Sequence, residues 1–396
     1  MKLLIVIPAL NEANSIESII TRSLSARASI IKKTPVTEVD ITVVSDGSTD
    51  RTAEIAGKYK DNINIIVFKK NKGYGAAIKA GWEQSDADFL SFLDADGTCD
   101  PNFFITLANL IQSENADVVL GCRMNKQSKM PLLRRTGNTI FSLLLTFFSS
   151  THIRDTASGM RIVRSSSLPK LMPLPDGLHF TPAMSARAIL SSDIKIIETD
   201  MPYHEREGES KLNAFYDGIR FLKVILSTVF LYKPSRPLSL MGGVCFLIAF
   251  LLMITPILHY LQYREVQEWM VYRFVVSNLL GNLSILLFSF SYLSNKIVMI
   301  TLSKNVEMGL TYTLISRILA NPLFWTVPCT LLLTGGLLVL PSFIELVITG
   351  ATYEHWSRFI VMSFFFSIAF ILIITWLINY TLSLVSDRVN YLKSIR

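Results

Sequence analysis

Two carboxylates one residue apart form the part of this chain best suited to chemistry. Asp94 and Asp96 follow the apolar run Phe89–Leu93, which has the pattern of a buried strand. Because residues i and i+2 of a strand point the same way, both acids can face one small volume at its end. Such oxygens suit a divalent cation that also binds phosphate. The spacing alone is equally typical of a turn, so its weight depends on the surrounding elements.

The elements around these acids alternate between strand-like and helix-like segments. Apolar runs of four to six residues predict strands at 3–7, 41–45, 63–68, 89–93 and 118–121. Helices are predicted near 15–31, 50–59, 74–84 and 101–113. This order predicts an α/β fold with a Rossmann-like, doubly wound and mostly parallel sheet. Ligands of such sheets bind beyond the carboxyl ends of the strands, where the two acids fall.

Other polar residues fall at the same predicted edge. Asn11 and Glu12 follow the first strand, and they are equally suited to ligand binding or to ending the strand and capping a helix. Asp46 follows the second strand, where a carboxylate commonly accepts hydrogen bonds from a ribose or a base. The Gly-containing segment after Lys72 lets backbone approach a ligand. It has neither Walker spacing nor GxGxxG, which argues against a Rossmann dehydrogenase.

The composition separates this front half from the rest of the chain. Of the 396 residues, half are hydrophobic and 17% are charged. Residues 1–237 hold 29 Lys/Arg and 25 Asp/Glu, whereas residues 238–396 hold 9 and 6. The net charge of +7 is shared between both halves, so no nucleic-acid-binding face is predicted. The four cysteines show no pairing or zinc motif.

The apolar half predicts a transmembrane domain of about four helices. Uncharged runs predict spans near 238–261, 274–295, 322–346 and 359–383, each long enough to cross a bilayer. Cations dominate the connection between the second and third spans and the tail. The positive-inside rule therefore places the front domain and the C-terminus in the cytoplasm. We expect an integral plasma-membrane protein without a signal peptide.

A helix between the two halves is predicted to be amphipathic. Phe215, Ile219, Leu222, Leu226 and Val229 share one helical face, and polar residues share the other. This pattern favours an interfacial helix on the cytoplasmic leaflet, with a surface helix of the front domain as the alternative. The predicted boundaries are 1–212 for the front domain, 213–237 for this helix and linker, and 238–396 for the transmembrane domain.

Four motifs together resemble a known family. They are Pro8-Ala9-Leu10-Asn11-Glu12, Ser45-Asp46-Gly47-Ser48-Thr49-Asp50, Asn71-Lys72-Gly73 and Asp94-Ala95-Asp96-Gly97. Their order and spacing resemble the family 2 glycosyltransferases of GT-A fold. Within that family, residues 1–235 look most like the polyprenyl-phosphate glycosyltransferases, the group of dolichyl-phosphate mannose synthase. The resemblance implies sugar transfer from a UDP- or GDP-linked donor to undecaprenyl or dolichyl phosphate, with inversion.

The resemblance also implies roles for individual residues on the donor side. Asp94 and Asp96 are expected to bind Mg²⁺ or Mn²⁺ against the diphosphate. The residues expected to be catalytic are Asp96, Arg123, Asp155 and Arg206. A glutamine often found two residues after the second acid is Thr98 here, which weakens an assignment to mannose. The segment containing Arg206 and Lys211 is expected to close over the diphosphate. The remaining residues expected to bind the nucleotide sugar are Pro8, Leu10, Asn11, Glu12, Asp46, Lys72 and Ala95.

On the acceptor side, the resemblance implies that Arg123, with Arg134 or Arg135, binds the lipid phosphate, and Asn138 is placed with them. Asp155 is expected to orient the sugar or the acceptor phosphate, or only to cap a turn. Salt bridges or contacts with the membrane surface are the alternative for the arginines. The transmembrane domain is also a candidate surface for homo-oligomer formation.

Two other functions remain open. A polysaccharide or glycolipid synthase would use a different acceptor, but such synthases usually carry a Q-x-x-R-W motif that this sequence lacks. A non-catalytic membrane scaffold or lipid transporter could retain a relic transferase domain. The intact acids Asp94 and Asp96 argue against that alternative.

Overall fold

The computed structural model describes residues 1–126, 128–149, 151–205, 214–302 and 309–395. The chain divides into two compact units, Met1–Tyr232 and Lys233–Arg396. All the strands that the described residues form belong to the first unit, whereas the described part of the second unit is helical. Arg206 and Lys211, two of the predicted site residues, lie outside the described residues.

Seven strands form one mixed sheet in the first unit, in the order β3-β2-β1-β4-β6-β5-β7. The neighbours β1 to β4 pair in parallel, as β5 and β7 do, while β6 is antiparallel to both β4 and β5. The predicted mostly parallel α/β sheet is therefore confirmed. The strands are β1 (Lys2–Ala9), β2 (Glu38–Ser45), β3 (Asn64–Val67), β4 (Phe89–Leu93), β5 (Val118–Cys122), β6 (Met160–Arg164) and β7 (Ile196–Asp200).

In the described part of the first unit, eight α-helices cover the two faces of this sheet. In β1, Leu3, Ile5 and Ile7 pack into one core with α1 and α4, while Leu4 and Val6 pack into the other with α3 and α7. Alternate residues of a strand thus feed opposite cores, and the unit has three layers. The helices are α1 (Ile16–Lys33), α2 (Thr52–Gly57), α3 (Tyr74–Glu83), α4 (Phe104–Ser113), α5 (Leu132–Phe148), α6 (Leu168–Leu171), α7 (Phe180–Leu190) and α8 (Ala214–Tyr232).

Helix α8 has two apolar faces. Ile225 and Val229 are fully buried in the core that α8 shares with α5 and α7. The prediction that Val229 belongs to the outward apolar face was wrong, because the side of α8 that carries it packs against α5 and α7. The other predicted members, Phe215, Ile219, Leu222 and Leu226, remain exposed. The helix therefore packs on the front unit and still presents apolar side chains outward.

The second unit contains five helices in its described part. Helix α10 packs against α9, α11 and α13, and α12 packs against α13. Four helical segments are long and apolar enough to cross a membrane: Ser235–Tyr263, Glu268–Thr301, Thr326–Thr349 and Trp356–Ser394. The helices are α9 (Ser235–Tyr263), α10 (Val271–Thr301), α11 (Leu310–Ala320), α12 (Thr326–Thr349) and α13 (Trp356–Ile395).

The third predicted span begins later than expected. Its predicted start at residue 322 lies in a break between α11 and α12. Asn321 adopts an extended conformation at the end of α11. The following Pro322 explains this, because proline disfavours a helical conformation in the residue before it. The four predicted spans otherwise overlap the four apolar helical segments.

Candidate active site

The two acids of the opening motif lie just beyond the carboxyl end of β4. Asp96 is 7% exposed, and its Oδ1 accepts hydrogen bonds from the Thr98 hydroxyl at 2.6 Å and the Thr98 amide at 3.2 Å. Gly97 permits the turn between them with a φ of 75°. Thr98, which replaces the glutamine that the resemblance led us to expect, therefore orients the second acid directly.

Asp94 is held between two other elements. Its Oδ1 accepts a hydrogen bond from the Tyr74 hydroxyl at 2.6 Å. Burial, and then the charge of Asp94, raises the pKa of Tyr74 well above its ordinary value, so the hydroxyl stays protonated. On the other side lies Gly159, where an added Cβ would come within 1.8 Å of Asp94 Oδ2. Tyr74 and Gly159 thus confine this carboxylate.

The residues present fit a divalent cation that is shared with a substrate. Among the described residues, no group of three or more His, Cys, Asp or Glu side chains could enclose a metal ion. Asp94 and Asp96 instead offer two carboxylates at one sheet edge. Magnesium is commonly bound by one or two carboxylates together with substrate phosphates, rather than by a cage made only of protein. This donor set therefore suits Mg²⁺ or Mn²⁺ bound with a diphosphate.

The loops after β1 and β2 are joined by hydrogen bonds. Asn11 has a positive φ of 50°. Its side-chain Oδ1 accepts a hydrogen bond from the Thr49 backbone amide at 2.8 Å, and its backbone amide donates to Ser48 Oγ at 3.1 Å. The Glu12 amide donates to Thr52 Oγ1 at 2.8 Å. Pro8 is buried in β1, and Leu10 is half-buried after it. These hydrogen bonds join the loops after β1 and β2 into one rim of the site, which contains these predicted donor-binding residues.

Asp46 joins that rim to the loop after β3. It is 3% exposed, and its two oxygens accept hydrogen bonds from the amides of Lys72 at 2.7 Å and Gly73 at 2.9 Å. Burial raises the pKa of Asp46, although the two amide hydrogen bonds favour its charged form. The Lys72 ammonium lies 4.4 Å from the centre of the Phe68 ring. Through its hydrogen bonds to the Lys72 and Gly73 amides, Asp46 positions the loop after β3.

Arg123 and Asp155 form a buried ion pair across two loops. Arg123 Nε lies 2.8 Å from Asp155 Oδ2, and Nη2 lies 2.9 Å from Oδ1. The side chain of Arg123 is 11% exposed and that of Asp155 is fully buried. Burial alone would raise the pKa of Asp155, but the charge and hydrogen bonds of Arg123 outweigh burial and lower it. Asp155 is therefore ionised and saturated with donors, which does not suit a general base.

Helix α5 contacts this ion pair through Asn138. Asn138 is 5% exposed, and its amide nitrogen donates to Asp155 Oδ1 at 3.1 Å. Its amide oxygen accepts from the Thr156 amide and hydroxyl at 3.0 and 2.7 Å. Asn138 thus contacts the loop that carries Asp155. Arg134 and Arg135 lie one turn earlier on α5, and Arg135 Nη2 donates to the Asn125 carbonyl at 2.8 Å.

Arg161 is a fully buried arginine that the sequence analysis did not select. It projects from β6 and donates to the Ser158 and Thr156 carbonyls and the Ser185 hydroxyl at 2.9–3.0 Å. Burial lowers the pKa of Arg161 to about 10. Its position inside a strand next to the Asp155 loop was the available signal, because a charged residue within an apolar strand needs buried partners.

Tyr74, Thr98 and Gly159 were also missed as supporting residues. The sequence identified Tyr74 only as the first residue of a predicted helix. Ala95, which was predicted to bind the donor together with the acids, is buried. The structure brings the β4 acids together with Tyr74 and Gly159. It also brings Arg123, Asn138 and Asp155 together in a second cluster.

Comparison with known proteins defines the class of this site. Residues 4–172 match the glycosyl transferase family 2 domain. A dolichyl-phosphate hexose transferase of Haloferax volcanii is 33% identical over 190 residues, which cover 46% of this chain and 78% of that protein. The chain therefore belongs to glycosyltransferase family 2 and is a glycosyltransferase of GT-A fold.

Two further relatives come from an archaeon and a bacterium. The low-salt glycan biosynthesis hexosyltransferase Agl6 of Haloferax volcanii is 33% identical over 52% of this chain, and the match spans only about half, 51%, of that relative. An undecaprenyl-phosphate 4-deoxy-4-formamido-L-arabinose transferase of Photorhabdus laumondii is 30% identical over 64% of this chain and 76% of that protein. Among solved structures, the Mycobacterium tuberculosis glucosyl-3-phosphoglycerate synthase overlaps 57% of this chain and 78% of its own, with 18% identity and a TM-score of 0.44.

Proposed function

We propose that this glycosyltransferase moves a sugar from a nucleotide-sugar donor to a polyprenyl phosphate. The donor carries UDP or GDP, and the acceptor is undecaprenyl or dolichyl phosphate. The product is a lipid-linked sugar for envelope glycan or glycoprotein assembly. The names of the Haloferax volcanii and Photorhabdus laumondii relatives, which specify dolichyl-phosphate and undecaprenyl-phosphate transfer, support this acceptor class.

The observation that carries the proposal is the composition of α5. Its first turns carry Arg134 and Arg135, and Asn138 one turn later touches the Asp155 loop. The same helix leaves several large apolar side chains exposed to a degree unusual for a soluble surface. A lipid phosphate needs cations for its head and apolar surface for its chain, and α5 supplies both. The exposed apolar residues are Leu132, Leu133, Ile140, Leu143 and Phe147.

Helix α8 extends that apolar surface within the same unit. It packs against α5, with the Phe141 and Phe221 rings 6.0 Å apart, and Phe215 is 72% exposed on its outer side. Only two residues separate Tyr232, the end of α8, from the first membrane-spanning segment. We propose that α5 and α8 lie on the cytoplasmic leaflet of the plasma membrane, with the C-terminus also cytoplasmic. The transmembrane unit is the proposed surface for oligomer formation.

On the donor side, Asp94 and Asp96 would hold Mg²⁺ or Mn²⁺ together with the diphosphate. When bound, the cation offsets negative charge on the leaving nucleoside diphosphate. The rim made by Asn11, Glu12 and Asp46, with Lys72 next to it, would hold the nucleoside. Arg206 and Lys211 are proposed to contact the diphosphate, by their match to the family motif.

On the acceptor side, we propose that Arg123 binds the lipid phosphate through one nitrogen. Its Nε and Nη2 are directed at Asp155, whereas Nη1 makes no hydrogen bond within the described part of the chain. Asp155 therefore fixes the orientation of the guanidinium, and Nη1 is the nitrogen proposed to bind a phosphate oxygen. Arg134 and Arg135 add positive charge nearby on α5.

The chemical step follows from these placements. An oxygen of the lipid phosphate attacks the anomeric carbon and forms a new C–O bond. The bond from that carbon to the donor diphosphate breaks on the opposite face, so the configuration inverts. Because the attacking phosphate is already anionic near neutral pH, no general base is required. Holding the two substrates in line is the main contribution of the chain.

The test uses the full chain in detergent with labelled nucleotide sugars and undecaprenyl or dolichyl phosphate. Label should enter an organic-extractable, acid-labile lipid only when Mg²⁺ or Mn²⁺ is present. Asp96→Asn should abolish turnover while leaving the thermal midpoint unchanged. Asp61→Asn, which removes an exposed acid, is the matched control. Label in a polymer, or full activity of Asp96→Asn, would contradict the proposal.

A further inference from the structure

Tyr74 is the first residue of α3, and its hydroxyl reaches the site from the side of the sheet opposite α1. The hydroxyl donates to Asp94 Oδ1 at 2.6 Å. A short hydrogen bond to a carboxylate is stronger than one between neutral groups. The Tyr74 ring makes edge contacts with Phe92 and Phe180, at centroid distances of 6.3 and 6.5 Å. The hydroxyl is thus carried by a ring that aromatic neighbours hold in place.

The backbone that precedes Tyr74 is also fixed. The amides of Lys72 and Gly73 donate to the buried Asp46 at 2.7 and 2.9 Å. Gly73 has a φ of 108°, and an added Cβ there would lie 2.4 Å from the Asp176 carbonyl oxygen. The start of α3 is therefore pinned between the loop after β2 and the loop before α7. The consecutive residues Lys72, Gly73 and Tyr74 thus hydrogen-bond to Asp46, at the proposed nucleoside end, and to Asp94, at the proposed metal end.

The opposite side of Asp94 is bounded by Gly159, which precedes β6. A Cβ at Gly159 would lie 1.8 Å from Asp94 Oδ2 and 2.4 Å from its Cγ. The lack of a side chain at Gly159 therefore leaves space for Oδ2, while the Tyr74 hydroxyl holds Oδ1. One oxygen of Asp94 thus accepts a hydrogen bond from Tyr74, and the other lies close to Gly159.

We infer that Tyr74 is a positioning residue that holds Asp94 in the orientation required to bind the divalent cation. The inference rests on the proposed function, in which Asp94 is a metal ligand. Partners that orient a metal ligand typically contribute ten- to hundredfold to metal affinity. Because Tyr74 directly follows Lys72 and Gly73, it also links Asp94 to the loop that Asp46 holds.

The experiment measures Mn²⁺ binding directly, without turnover. The full chain in detergent is titrated with Mn²⁺ in the presence of UDP or, in parallel, GDP, and free Mn²⁺ is followed by electron paramagnetic resonance. Tyr74→Phe should weaken Mn²⁺ binding by about ten- to hundredfold. Turnover of the variant should recover at saturating Mn²⁺, which a general structural defect would not produce.

Tyr59→Phe is the matched control, because it also removes a tyrosine hydroxyl that donates to a carboxylate, that of Glu17 at 3.1 Å. It should bind Mn²⁺ like the natural chain. Gly159→Ala displaces Asp94 from the other side and should also weaken binding, so it supplies the test if Tyr74→Phe does not fold. Unchanged or tighter Mn²⁺ binding by folded Tyr74→Phe, or by Gly159→Ala if Tyr74→Phe does not fold, overturns the inference alone. Absence of Mn²⁺ binding by the natural chain overturns the proposed metal role as well.

Discussion

Arg123 and Asp155 are joined three times: the Arg123 amide, Nε and Nη2 all donate to the Asp155 carboxylate at 2.8–2.9 Å. The pair links the loop after β5 to the loop before β6. Each residue was predicted separately to contact a substrate. Their pairing shows that Asp155 acts on its surroundings mainly through Arg123, because both of its oxygens already accept hydrogen bonds inside the protein.

Asp155→Asn should destabilise the front unit by about 3–5 kcal/mol, the usual cost of leaving one charge of a buried pair without its partner. The measurement is chemical denaturation of the full chain in detergent, followed by tryptophan fluorescence. Glu54→Gln is the matched control, since it breaks the exposed ion pair of Glu54 with Arg51. A comparable loss in the two variants would show that burial of the Arg123 pair has no special weight.

Acid should remove the contribution of the same pair. The pKa of Asp155 is lowered in the folded chain, so its stabilisation is fully present above its ordinary pKa of about 3.9. That stabilisation is lost as pH falls through the lowered value. The difference in unfolding free energy between the natural chain and Asp155→Asn should therefore be constant from about pH 5 to about pH 7. It should shrink below about pH 4, because the ordinary pKa is about 3.9. A constant difference down to about pH 2 would contradict the assigned shift.

Arg161→Lys should destabilise the loop before β6, which contains Thr156 and Ser158, although the positive charge is kept. Lysine cannot reach the Ser158 and Thr156 carbonyls and the Ser185 hydroxyl together, as the guanidinium does. Losing one such charged hydrogen bond costs about 1.5–3 kcal/mol. The readout is again the denaturation midpoint, with the exposed Arg51→Lys as control. If both variants unfold at the same midpoint, the three buried contacts of Arg161 are not needed for stability.

Leu143→Glu should impair use of the lipid acceptor but not of the donor. Leu143 is 60% exposed on α5, and burying a leucine in an apolar phase is worth about 1.5–3 kcal/mol. The KM for polyprenyl phosphate should rise by about tenfold or more, whereas the KM for the nucleotide sugar stays unchanged. Ile31→Glu, on the exposed side of α1, is the control. Equal effects of the two substitutions on the acceptor KM would argue against contact between α5 and the lipid.

The parallel core of the fold and the acids at its edge could be predicted from the sequence. Strands β1 and β4 are buried on both faces, so they appear as continuous apolar runs, and their carboxyl ends must meet at one edge. Strand β6 was missed because it carries Arg161 and Arg164 among its five residues. The apolar pattern that predicts strands does not reveal a buried arginine with backbone partners.

The pairing of site residues could not be predicted in the same way. Arg123 and Asp155 are 32 residues apart, and Tyr74 and Asp94 are 20 apart. Motif spacing shows which residue types are available, whereas their partners depend on the order of strands in the sheet. The same limit applies to α8, where periodicity identified one apolar face and a second one is used for packing.

The central place of β6 also sets an order of events during synthesis. Among the described strands, β5 and β7 reach β4 only through β6, which lies between β4 and β5 and follows β5 along the chain by nearly 40 residues. At about 5–20 residues per second, the ribosome needs roughly 2–8 s to make that stretch. Until then, the edge of β4 next to Asp94 and Asp96 is unpaired, and an open edge can recruit strands of other chains. The nascent chain therefore exposes this strand edge until β6 has been made.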